Sequence, residues 1–238
     1  MKLPKILFTH LFILILSSSS FAQSLVGAWE SFEEKNNKTI RSVLIVSDEF
    51  QVLTKFDKET GAFIETNGGS WKLKDGLMTE VVEFHTSDTS AIGKSFSFKI
   101  KLSQNKIEIP ASGAVFTRID DAKPGALQGA WLMSGRVRNG KTQLRNTDRP
   151  RKTMKILSGT RFQWIAYNIA TKEFKGTGGG TYTTIDGKYT EQIEFFSRDN
   201  NKVGLKLPFD FELVEGKWHH KGFSSKGAAM HEIWSKRD

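Results

Sequence analysis

"GGSWKLKDGLMTEVVEF" runs from Gly68 to Phe84, and "GGTYTTIDGKYTEQIEF" runs from Gly179 to Phe195. The two align without a gap at a spacing of 111 residues: Trp71 meets Tyr182, Asp75-Gly76 meets Asp186-Gly187, and Thr79, Glu80, Glu83 and Phe84 meet Thr190, Glu191, Glu194 and Phe195. The register persists through Asp88/Asp199, Gly93/Gly204, Phe98/Phe209 and Lys106/Lys217. Upstream, "LVGAWE" at Leu25 answers "LQGAWL" at Leu127, with Trp29 and Trp131 spaced by 102 residues; downstream, "VFTR" (Val115–Arg118) answers "IWSK" (Ile233–Lys236). Self-similarity of this extent marks a tandem duplication. The second copy carries nine extra residues between Trp131 and Gly179, most simply placed between Arg136 and Arg151. "IDDAKPGAL" (Ile119–Leu127) is polar and contains Pro-Gly, which predicts units over 24–119 and 127–238 joined by a linker at 120–126.

Within each copy the local pattern is β. "RSVLIV", "EFQVLTKF" and "SFSFKIKL" in the first copy, and "RFQWIAY", "KYTEQIEFF" and "LPFDFELV" in the second, are short runs rich in β-branched and aromatic residues. Asp-Gly and similar turn signals separate them, and neither copy offers a helix of ten residues. Successive hairpin links suit a meander, and closure hides the exposed sheet edges. The predicted fold is all-β: two tandem antiparallel up-and-down barrels.

Gly27-Ala28-Trp29 opening one copy, with Arg118 closing it, and Gly129-Ala130-Trp131 opening the other, with Lys236 or Arg237 closing it, resemble the lipocalin-like (calycin) barrels. The resemblance implies that Trp29 and Trp131 lie across the barrel floors under a basic residue of the last strand, a cation–π contact worth about 0.5–2 kcal/mol. It also implies a small, partly apolar ligand. With no disulfides, no helix after the last strand and short copies, the match is to compact lipocalin-like domains of exported bacterial proteins.

Export agrees with the N-terminus. Lys2 and Lys5 precede an apolar run from Ile6 to Leu16, and Ser20 and Ala22 stand at the −3 and −1 positions of a cut before Gln23, so residues 1–22 are expected to be a cleavable signal peptide. The apolar run is shorter than the ~20 residues that span a bilayer, and no later run approaches that length. The chain has no cysteine, which excludes a lipid anchor at the cut, zinc–thiolate chemistry and a cysteine nucleophile. A secreted or periplasmic location is expected.

Five features carry candidate chemistry. The Gly178–Gly180 run lacks the following helix and Gly-Lys-Ser/Thr of a phosphate loop, so it reads as a bulge or hairpin entry where side chains clash. Glu191 and Glu194 are three apart and face opposite sides of a strand; with Phe195 and Ile193 taken as core, Glu191 is the interior acid and Glu194 a solvated one. His219, His220 and His231 lie on two strands expected to pair. One of His219 and His220 can join His231, and Glu191 or Glu232 would complete a two-histidine, one-carboxylate set for zinc or iron; ordinarily hydrogen-bonded strand-end histidines are the simpler reading and assign no metal.

The fourth feature is charge. The net +9 is uneven: residues 24–123 carry 13 basic and 15 acidic side chains, residues 124–238 carry 20 and 11. The excess concentrates from Arg136 to Lys155, a candidate surface for an acidic glycan. Without a recognition helix, nucleic acid is not expected as a partner. Fifth, Phe162 and Trp164 share a strand face, with Phe50 and Val52 taken as their first-copy counterparts, and either fill the barrel or line a cavity.

The leading expectation is a small-molecule or lipid-like ligand in the second barrel, near Trp164, Tyr182, Glu191 and one of His219, His220 or His231, with no cofactor implied. The alternatives are a metal- or His/Glu-dependent enzyme acting on a glycan or lipid fragment, and a non-catalytic polyanion-binding module.

Overall fold

The computed structural model describes residues 24–120 and 125–237. The expected signal peptide 1–22 and residues 121–124 of the expected linker lie outside the described residues.

The first copy forms β1 (Gly27–Lys35), β2 (Lys38–Val46), β3 (Phe50–Asp57), β4 (Phe63–Lys74), β5 (Leu77–His85), β6 (Ser95–Lys99), β7 (Lys101–Leu102), β8 (Lys106–Ile109) and β9 (Ala114–Arg118). The second forms β10 (Gly129–Arg138), β11 (Lys141–Leu144), β12 (Arg151–Leu157), β13 (Arg161–Asn168), β14 (Glu173–Ile185), β15 (Lys188–Phe196), β16 (Lys206–Val214), β17 (Lys217–Phe223) and β18 (Ala229–Lys236). Every pairing is antiparallel. β9 returns to β1 and β18 returns to β10, closing each sheet into a barrel. β6 and β7 are one strand interrupted at Ile100, and β16 is its unbroken counterpart. Among the described residues the helical content is limited to two short 3-10 turns, Thr89–Ala91 and Asn200–Lys202, capped by the repeat mates Asp88 and Asp199. No helix there is long and apolar enough to cross a membrane.

Local chemistry sets the turns. Asp75-Gly76 and Asp186-Gly187 have positive φ at both positions (50° and 74°, 49° and 72°), the geometry that lets a two-residue hairpin follow the strand twist. The nine extra residues of the second copy form the β11 hairpin arm and the loop to β12.

Beside β5 and β15 the pairing skips one residue: Gly68 faces Phe84 but Gly69 faces Val82, and Gly179 faces Phe195 but Gly180 faces Ile193. Glu83 and Glu194 are therefore bulge residues. A Cβ at Gly69 or Gly180 would overlap the carbonyl oxygen of Val81 or Gln192, which is why glycine stands opposite each bulge. The bulge resets the alternation, so Ile193 and Phe196 face the interior of the second barrel while Glu194 and Phe195 face outward.

That outward face is not solvent. Val43, Ile45, Val52, Phe56 and Phe84 of the first barrel pack against Met154, Ile156, Ile165, Tyr167 and Phe195 of the second in one buried cluster. The contact is pseudo-symmetric. Phe56 stacks on Phe195 at 5.0 Å, Phe84 meets Tyr167 at 4.8 Å, and Phe63 stacks on its own repeat mate Phe174 at 5.9 Å. Burying each such side chain contributes about 1.5–3 kcal/mol.

Two expectations change here. Glu194 is not a solvated acid: it pairs with Arg41 of the first barrel at 3.1 Å and with Arg161 of its own. Its mate Glu83 pairs with Arg237 at 2.5 Å and accepts from the Tyr167 hydroxyl at 2.5 Å. Phe50 and Val52 are not the counterparts of Phe162 and Trp164. Pairing with the shared glycines places Gln51 and Leu53 there, and a slip of one residue exchanges the two faces of a strand.

Candidate functional site

Each barrel has a closed end. The Arg118 guanidinium lies 3.9 Å over the Trp29 ring and donates to the carbonyls of Val26 and Ser24; the Lys236 ammonium lies 5.0 Å from the Trp131 ring centre and donates to the Gln128 carbonyl. The indole N–H groups of Trp29 and Trp131 donate to Leu25 and Leu127, each four residues upstream. Of the two basic residues that end the second copy, Lys236 occupies the floor, whereas Arg237 lies over Phe50 of the first barrel at 3.9 Å.

Above its floor the second barrel encloses a cavity of about 400 Å³. Lys155 enters it from β12 and Glu191 from β15; their side chains are each 5% exposed, and Nζ donates to Oε1 at 2.7 Å. The ammonium is also ringed by aromatic faces: Tyr189 and Trp218 at 5.0 Å, Trp234 at 5.4 Å and Phe209 at 5.8 Å. A buried charge pair is tolerable only when each ion finds close partners, and here a carboxylate and four π-faces surround one cation.

His220, from β17, packs against Phe209 with ring centres 4.0 Å apart and is 1% exposed. Neither ring nitrogen has a hydrogen-bond partner among the described residues, and Nδ1 lies 3.6 Å from the Glu232 carboxylate, beyond hydrogen-bond range. Burial, together with the nearby Lys155 charge, pushes its pKa well below the ordinary histidine value. The imidazole is therefore neutral, with one donor and one acceptor at the cavity wall. Burial also raises the pKa of Glu232, against the opposing pull of Lys155. Trp164, Phe196, Leu207 and Met230 supply apolar wall, and Arg198, Ser224 and Ser225 stand at the more exposed rim.

The expected ligand residues thus divide. Trp164, Glu191 and His220 line the cavity. Tyr182 does not: its hydroxyl donates to the Ser158 carbonyl at 2.6 Å, in the turn that follows β12. His219 and His231 meet each other, Nδ1 to Nε2 at 3.1 Å, on the outer face of β17 and β18. The strand alternation that turns His220 inward turns these two outward, so the barrel wall separates them from Glu191 and the two-histidine, one-carboxylate set is not assembled. Among the described residues no group of three His, Asp or Glu side chains is disposed to hold a metal ion.

Lys155, the last residue of the basic run in the sequence, belongs to the barrel interior and not to the surface. In "RKTMKIL" the apolar Met154 and Ile156 look like the core-facing residues, but they face the first barrel, which leaves Lys155 to point into its own. The repeat holds a usable signal: Lys155 falls at the position of Leu44, whose neighbours Trp29 and Leu53 correspond to Trp131 and Trp164. Four arginines of the run lie close together. Burial lowers the Arg145 pKa, and the adjacent charges of Arg151, Arg136 and Arg149 lower it further.

Residues 126–238, which contain the whole second barrel, match the family model described as "Domain of unknown function (DUF4488)". No curated protein matches the chain.

Proposed function

We propose that this is an exported, lipocalin-like two-barrel protein whose second barrel binds a small, partly apolar molecule carrying a hydrogen-bonding group. One observation carries the reading: a cavity of about 400 Å³ has in its wall a fully buried histidine with both ring nitrogens unpartnered. Buried polar groups are as a rule hydrogen-bonded, so His220 is suited to a ligand's polar end. Trp164, Phe196, Leu207 and Met230 are suited to its apolar body. The Lys155–Glu191 pair neutralises itself, which favours a neutral or singly polar ligand over a highly charged one. Export is supported by the n-region, apolar run and small-residue site of residues 1–22.

Native mass spectrometry of the protein purified from an exporting host tests this. A bound small molecule is expected on the parent chain and lost from Met230→Trp, which fills the cavity. A parent mass equal to the bare chain, with no quenching of tryptophan fluorescence by 1-anilinonaphthalene-8-sulfonate, overturns it.

A second reading rests on Arg145 and the three arginines around it. We propose that this patch attracts acidic polysaccharide at the surface of the second barrel. Retention on immobilised heparin that falls steeply with salt, and that Arg145→Ser/Arg149→Ser weakens, is the expected result; salt-independent or absent retention counts against it.

A further inference from the structure

The interior of the first barrel retains half of the ion pair found in the second. Glu80 is the repeat mate of Glu191 and sits opposite Trp71 as Glu191 sits opposite Tyr182. The position of Lys155 is held by Leu44. Among the described residues Glu80 has no hydrogen-bond or ion-pair partner; it is half-buried, and that burial raises its pKa to about 7. It lines a cavity of about 130 Å³ with Leu44, Met78, Phe98 and Phe116, and no other titratable group contributes to that wall.

We propose that the first barrel is a binding site for a small alkylammonium ion, whose cation takes the place beside Glu80 that the Lys155 ammonium takes beside Glu191. Of the four rings around the lysine two have aromatic counterparts in the first barrel, while the places of Tyr189 and Trp218 are held by Met78 and Ile107. Phe98 and Phe116 stand where Phe209 and Trp234 flank the lysine and offer ring faces to a cation. Leu44 shortens the side chain by the length over which the ligand's alkyl chain would lie. A carboxylate without an ion-pair partner, in a wall that is apolar apart from the Gln51 and Asn67 amides, gains from an ammonium both charge neutralisation and a charge-assisted hydrogen bond. A neutral molecule of the same shape offers neither.

The test compares n-butylammonium with n-butanol on the full chain carrying ¹³C-methyl methionine at pH 8. The Met78 methyl reports on the first cavity and the Met230 methyl on the second. The expected result is a shift of Met78, with the ammonium binding at least about ten-fold tighter than the alcohol. In Glu80→Gln that preference disappears while alcohol binding stays within about two-fold, since the amide keeps the shape and removes the charge. Leu44→Lys, which supplies the cation from the chain itself, abolishes ammonium binding. Equal affinity for the two probes, no Met78 shift with either, or a preference that survives Glu80→Gln each overturns the proposal.

Discussion

Lys155 and Glu191 meet at 2.7 Å inside the second barrel, and the same two positions in the first barrel hold Leu44 and Glu80. One duplication has thus produced an internally neutralised interior and an interior with an unpaired acid. Removing one partner of the buried pair strands the other, so Glu191→Gln is expected to destabilise the protein by about 3–5 kcal/mol. The double substitution Lys155→Leu/Glu191→Leu is expected to be near neutral or stabilising, because neither desolvated charge remains. Urea denaturation of the two variants distinguishes these outcomes; equal losses would show that packing, not charge, dominates at this site.

Glu80 gives the first barrel a pH dependence. Its folded pKa, about 7, lies above the ordinary 4.5. The folded state therefore holds the proton more tightly than the unfolded chain across that window, and stability falls as pH rises from about 4.5 to about 7. The shift corresponds to about 3 kcal/mol at pH 8. Glu232 is raised by burial and leans the same way, so the comparison needed is parent against Glu80→Gln. The variant is expected to gain on the parent at pH 8 and to match it at pH 4; a constant difference at both would refute the assignment.

The contact between the barrels is expected to make them one cooperative unit. Glu194 is held by Arg41 and Arg161, and Glu83 by Arg237 and Tyr167. Glu194→Ala leaves two arginines facing each other in a partly buried place, a loss of about 1–3 kcal/mol. Intrinsic tryptophan fluorescence and far-ultraviolet circular dichroism should trace one transition for the parent chain. Residues 126–238 produced alone expose Met154, Ile156, Ile165 and Phe195, an apolar face of the kind that drives association. Light scattering that shows a monodisperse monomer at high concentration would contradict this.

Gly180 is expected to resist substitution more than its place in a strand suggests. A Cβ there overlaps the Gln192 carbonyl and reaches 2.8 Å from the Glu194 amide. Gly180→Ala should therefore open the bulge and cost about 1–3 kcal/mol, with loss of the Glu194 pairs. Gly187→Ala, whose Cβ meets nothing within 4 Å, is strained by its positive φ alone and serves as the comparison in thermal denaturation.

Much of this molecule is legible in its sequence. The aligned segments beginning at Gly68 and Gly179 reveal the duplication, the Asp-Gly pairs mark hairpins, and the clash expected at the glycine run is the one a side chain would meet opposite the bulge. Trp29 with Arg118 and Trp131 with Lys236 mark the floors because a cation over an indole leaves a compact, local pattern. The period-two alternation turns His220 away from His219 and sets Glu191 apart from Glu194. All of these depend on residues near in the chain or repeated along it.

What tertiary structure alone decides is which face of each strand is inside. Alternation distinguishes a buried face from a wet one, but here both faces of β3, β12 and β13, and of β15 at its Phe195 end, are largely buried, one in its own barrel and one against the other barrel. Apolar Met154 and Ile156 therefore belong to the contact between barrels, Lys155 to an interior, and Glu194 to a charge network reaching Arg41, 153 residues away. One-residue bulges at Glu83 and Glu194 then shift the alternation within a strand. Polarity read along a chain carries no label for the surface that will cover it; that label comes only when two distant segments meet.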